Sequence, residues 1–174
     1  MTFLRVISLF LLFSGFCGAP DVPTGDAANG MPKVQITYSK VGPRQIEDAT
    51  ARAIPRDYAS AWRSLALALE QNQTDLLDSY FVGTALDKFV AAVESQKSSG
   101  LRTRYIDHGH TVEAGFYSPD GGALELHDTA RMEIQIIDGG NLIHTEQVTL
   151  HYVALMTPAA DRWNVRLLES VPNF

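Results

Sequence analysis

The sequence predicts an α+β domain in which N-terminal helices pack on an antiparallel sheet of four or more strands. Three observations carry this expectation. Apolar residues recur at helical spacing in the stretch before Gly100, they alternate with the strand period after it, and three Gly- or Pro-bearing clusters cut the second half into hairpins. The whole chain has 174 residues, 45% hydrophobic and 20% charged, with a net charge of −6, which suits one soluble domain and excludes collagen-like, disordered and multi-span membrane classes. An acidic chain without a Lys/Arg cluster also argues against a nucleic-acid partner.

Residues 1–19, MTFLRVISLFLLFSGFCGA, stand apart. Arg5 precedes the apolar run Val6–Phe13, and Gly15, Gly18 and Ala19 follow. This is the layout of a secretory signal peptide, short of the roughly 20 residues of a bilayer span. Two other readings stay open: Cys17 as the lipidated first residue of a lipoprotein, although large Phe16 precedes it, and an uncleaved membrane anchor. The expected destination is secreted or periplasmic, with membrane contact only through a retained N-terminal segment. A cut after Cys17 leaves no cysteine, which removes disulfides, thiolate nucleophiles and Cys-rich zinc sites. Residues 20–43 read as a flexible spacer in which residues 33–39, KVQITYS, permit a short strand; the domain proper is expected over 44–174.

Ile54, Tyr58, Trp62, Leu65 and Leu69 fall on one helix face within Arg56–Gln71. Pro55 suits the first turn, and Gln45–Ala53 can form a preceding helix that continues across a kink. Asn72-Gln73-Thr74 breaks the run and also fits a glycosylation sequon. Thr74 is expected to cap a second helix from Asp75 to about Ser95, burying Leu77, Phe81, Phe89 and Val93. Beyond Gly100, turns at Ser118–Gly122, Asp138–Asn141 and Thr157–Asp161 separate four strands of an antiparallel meander. Ala130, Met132, Ile134 and Ile136 share one strand face, as do Val148, Leu150, Tyr152 and Ala154, and the helices are expected to cover that face.

All five histidines lie in the strand half. His108-Gly109-His110 places two imidazoles on one face, inward by extrapolation from Val112, Ala114 and Phe116, as a two-ligand metal candidate that lacks a third ligand. A bulge at Gly109 is the competing reading. Acid–base chemistry needs a carboxylate or imidazole desolvated in a pocket. By strand parity Asp128, His144 and Glu146 face inward, with Tyr152 as a hydrogen-bond donor, whereas strand ends near hairpins ordinarily meet water. No nucleotide fingerprint, nucleophile elbow or zinc-protease helix occurs, and no cofactor is expected. The outward face carrying Thr145, Gln147, Thr149, His151 and Val153 is polar but weakly charged, as a homodimer interface or a solvated sheet would be.

Helices followed by long strands, with the text WRSLALALEQNQTDLLDSYFVGTALDKFVAAVESQ carrying Trp62 and Tyr80-Phe81, resemble the nuclear-transport-factor-2-like (cystatin-like) superfamily over residues 44–174. The resemblance implies a strongly curved, cone-shaped sheet and is similar to the non-catalytic branch that includes chloroplast-division domains. Together with the leader, it gives as first reading an exported, non-enzymatic domain that binds a small apolar ligand or a protein partner through its cone or open sheet face. An isomerase or dehydratase with an acid–base pocket is the second reading. In either, Trp62, Phe81, Phe116, Met132, Tyr152 and Trp163 are the expected lining or filling of the cone.

Overall fold

A computed structural model describes residues 30–174. The signal-peptide, lipidation and anchor readings, Cys17 included, fall outside the described residues. Among the described residues no helix is long and apolar enough to cross a membrane. The elements run β1 (Val34–Thr37), α1 (Asp48–Gln71), a 3-10 turn (Thr74–Leu77), α2 (Gly83–Ser98), β2 (Leu101–Tyr117), β3 (Leu124–Asp138), β4 (Asn141–Pro158) and β5 (Trp163–Val171). One sheet holds all five strands in sequence order. β2 to β5 form the expected antiparallel meander, while β1 joins β2 in parallel, Val34 opposite His110.

α1 runs unbroken through Pro55, starting earlier than a proline in the first turn would allow. Its buried side carries Ile54, Tyr58, Trp62, Leu65, Ala68 and Leu69, the 3.6-residue stripe read from the sequence. Asn72 ends the helix in the left-handed conformation, at φ 54°. Its amide donates to the Leu101 carbonyl (2.9 Å) and accepts from Gln96 Nε2 (2.6 Å). The second helix departs from expectation. Thr74–Leu77 make only a 3-10 turn, and Thr74 caps nothing. Phe81 then leaves the helical path to bridge Val165, with the Val82 N–H on the Val165 carbonyl and the Val165 N–H on the Tyr80 carbonyl. Sheet hydrogen bonding thus overrides helix periodicity there, and α2 begins only at Gly83.

The two helices cover the inner face of the sheet. Tyr58, Trp62, Leu65, Phe81, Val112, Leu126, Met132, Met156, Trp163 and Val165 join in one buried cluster. Asp57, itself buried, fastens α1 to the start of β5: its carboxylate accepts from the Trp163 N–H (2.8 Å) and from Arg56 Nε (2.8 Å).

Four inserted residues alter the strand faces, Arg166 of β5 among them. Gly115 is supernumerary against β3, so Phe116 pairs with Glu125 on the outer face and is 41% exposed, while Tyr117 turns inward. This corrects the inward placement of Phe116: a bulge reverses every side chain beyond it. His108 is supernumerary between Asp107 and Gly109, and Ile143 between Leu142 and His144.

Candidate functional site

The bulge at His108 separates the two imidazoles that strict alternation puts together. His108 is exposed, whereas His110 is buried beneath α1, so the pair cannot share a metal ion. His110 instead sits at the centre of an interior polar cluster. Its Nδ1 lies 2.7 Å from Asp128 Oδ2 and its Nε2 lies 2.6 Å from Asp107 Oδ2. Tyr58, one helical turn before Trp62, donates its hydroxyl to the same Asp128 oxygen at 2.8 Å. Trp62 packs 4.8 Å from the His110 ring and 5.1 Å from Tyr152, the residue opposite Asp128 on β4.

The charge state follows from these partners. Burial alone pushes an imidazolium's pKa down, but the hydrogen bonds that His110 donates to Asp107 and Asp128, reinforced by their charges, outweigh it and raise His110 to about 9. Burial and the adjacent Asp128 push the Tyr58 hydroxyl well above its ordinary range, and burial does the same to Tyr152. With both ring nitrogens facing carboxylates, His110 carries two N–H bonds and has no lone pair with which to accept a proton.

Two polar atoms of this cluster, Asp128 Oδ1 and Trp62 Nε1, are buried without a hydrogen-bond partner. The space beside it is about 10 Å³, bordered by Trp62, Tyr105, Asp107 and Met132 and covered by Gly30 and Pro32. That is room for one water at most, against the several hundred Å³ of a ligand site.

The sequence-predicted acid–base residues are brought together only in part. Asp128 is wholly buried and faces Tyr152, as parity implied. His144 and Glu146 lie on the same side of β4 but eight and six residues away from Tyr152, about 26 and 20 Å along the strand. There they contact each other at 3.7 Å in solvent. The sheet outruns the helices at that end, so an inward-pointing side chain is not a buried one. Trp62, Phe81, Met132 and Trp163 are packed into the core, and Tyr152 is half-buried at its margin. Sequence reasoning missed Tyr58, which reads as one more apolar stripe residue, and Asp107, whose role depends on the bulge that Gly109 only hinted at.

No family model matches the chain, and no curated protein does. Among solved structures, the intermembrane space region of the chloroplast protein ARC6 is similar over 74% of this chain and 98% of its own, with TM-score 0.62 and 16% identity. Aln2 from a Streptomyces species follows at TM-score 0.46 and 14% identity, covering 72% of this chain and 93% of its own. A cystatin-like domain from Nostoc punctiforme covers 74% of this chain and 80% of its own, at TM-score 0.41 and 12% identity. The fold is the nuclear-transport-factor-2-like, cystatin-like cone; at these identities the likeness speaks of fold alone.

Proposed function

We propose that this cone is an exported, non-catalytic interaction domain whose partner is a protein segment laid along the free edge of β4. The observation that carries the reading is the lopsided pairing of that strand. β5 pairs with β4 only from His151 to Pro158, so Asn141–Leu150 has β3 on one side and nothing on the other among the described residues. Asn141–Gln147 are all exposed, Leu142 and Ile143 included. β5 ends before Pro172, and Phe174 folds back to stack on His127 at 4.9 Å instead of extending the ladder.

Natural sheets blunt such edges with Lys, Pro or a covering element. This one has a single bulge near its turn and neither Lys nor Pro from Asn141 to Leu150. An added strand would gain main-chain hydrogen bonds, and the half-buried Val148 and Leu150 offer alternate side-chain contacts. A small apolar ligand within the cone is disfavoured, because Trp62, Phe81, Met132 and Trp163 occupy the interior.

An extended peptide of alternating Thr and Val is the probe. Binding should slow amide exchange in Asn141–Leu150 by at least about tenfold at saturation. Successive strand residues point their N–H to opposite sides, so of Gln147→Pro and Val148→Pro one removes an outward N–H and the other a bond to β3. The outward variant should keep its melting temperature and lose the peptide. Protection elsewhere, or none at any peptide concentration, overturns the reading; edge-to-edge protection without peptide, rising with protein concentration, would make the occupant a second copy instead.

An isomerase or dehydratase reading draws on one observation, the unpartnered Asp128 Oδ1 and Trp62 Nε1. It needs a neutral His110 and room beside Asp107, and the geometry favours neither.

A further inference from the structure

The buried charge cluster has a second face. Asp107 Oδ1 accepts the Gly109 N–H at 2.7 Å while Asp107 Oδ2 meets the His110 ring, and the His110 backbone N–H donates to the Lys33 carbonyl at 2.9 Å. Gly109 holds φ +117°, a conformation that an L side chain would strain. Tyr58, Asp128, His110 and Asp107 therefore form a chain of contacts that ends on the bulged backbone and on the start of β1. Bulges of this kind re-aim a side chain. Here the one re-aimed is His108, which comes out beside Arg131 and Lys33 around a depression of about 110 Å³ completed by Gln35 and Thr111. A trough of about 390 Å³ adjoins it, sharing His108 and Arg131 and continuing past Gln147 and Thr149.

In a chain of net charge −6, none of Lys33, His108 and Arg131 enters an ion pair among the described residues. The carboxylate nearest along β3 on that face, Glu133, accepts from Gln135 (2.7 Å) and Thr145 (3.1 Å) and reaches His108 only through its charge, without an ion-pair contact. The depression thus gathers positively charged and neutral donors, and no carboxylate is among the residues that line it. We propose that it binds a phosphate group, with Arg131, Lys33 and His108 supplying charge-assisted hydrogen bonds and Gln35 and Thr111 neutral ones. Its size suits a tetrahedral oxyanion, and the adjoining trough suits the remainder of a phosphate monoester.

The test titrates the protein, in the form the cell produces, with inorganic phosphate and separately with phenyl phosphate, against sodium chloride at equal ionic strength. Both phosphates should shift the amide resonances of Lys33, His108, Thr111 and Arg131. Tighter binding of phenyl phosphate identifies a monoester site, and equal binding a site for free phosphate. Arg131→Gln should weaken binding at least about tenfold while leaving the melting temperature unchanged, because the side chain is exposed. His108→Gln, equally exposed, should weaken it severalfold and serves if the first variant folds poorly. Shifts no larger than those with chloride, or unaltered affinity in both variants, overturn the proposal.

Discussion

The Tyr38 hydroxyl donates to the Ala51 carbonyl at 3.2 Å, and Ala51 is the residue whose helical donor Pro55 removes. A side chain from the extended arm after β1 thus replaces the missing bond inside α1. Partial burial pushes the Tyr38 hydroxyl up to about 12, so it stays protonated and able to donate throughout the neutral range.

This relationship makes a double-mutant cycle informative. Tyr38→Phe alone should cost about 1 kcal/mol, the net worth of one hydrogen bond. With Pro55→Ala in place, residue 55 regains an N–H aimed at Ala51, and Tyr38→Phe should then cost markedly less. Equal costs in both backgrounds, measured by urea unfolding, would show that the hydroxyl does not serve the proline's orphaned carbonyl.

Stability should fall at alkaline pH. The folded-state pKa of His110, about 9, lies above the ordinary value of 6.5, so its contribution is complete below pH 6.5 and disappears as pH rises through about 9. The difference is worth about 3 kcal/mol. Asp128→Asn should flatten this dependence and lower stability by a few kcal/mol, since it strips a buried imidazolium of one of its two carboxylates. Unfolding midpoints between pH 6 and 10 check both statements; a profile that rises to pH 10 in the wild type would contradict them.

Asp57→Ala should be among the more damaging substitutions on α1, costing about 2 kcal/mol or more. It leaves the buried Trp163 N–H without an acceptor and releases the start of β5 from the helix. Chemical denaturation measures the loss, and Arg56→Ala, which removes only the solvent-exposed partner of the same carboxylate, should cost less than about 1 kcal/mol.

Local periodicity made much of the fold legible. The α1 stripe, the meander and the inward positions of Asp128 and Met132 all follow from side-chain spacing. What escaped it was set by single inserted residues or by long-range pairing. One residue at Gly115 sent Phe116 outward, one at His108 parted it from His110, and the bridge from Phe81 to Val165 broke a helix that the apolar pattern favoured. For His144 and Glu146 the side was right and the surroundings were not, because strand parity carries no information on where the covering helices stop. Tyr58 reads in the sequence as one more apolar stripe residue because a tyrosine's hydroxyl partner is a tertiary fact.

Whether the His110 cluster is a charged structural clamp or a general base is decided most directly by the protonation of His110. Nitrogen-15 NMR of the imidazole should show both ring nitrogens protonated at pH 7.5, with titration near pH 9. A neutral His110 at pH 7.5, with a free lone pair on one nitrogen, would contradict the account and restore the acid–base reading of the cone.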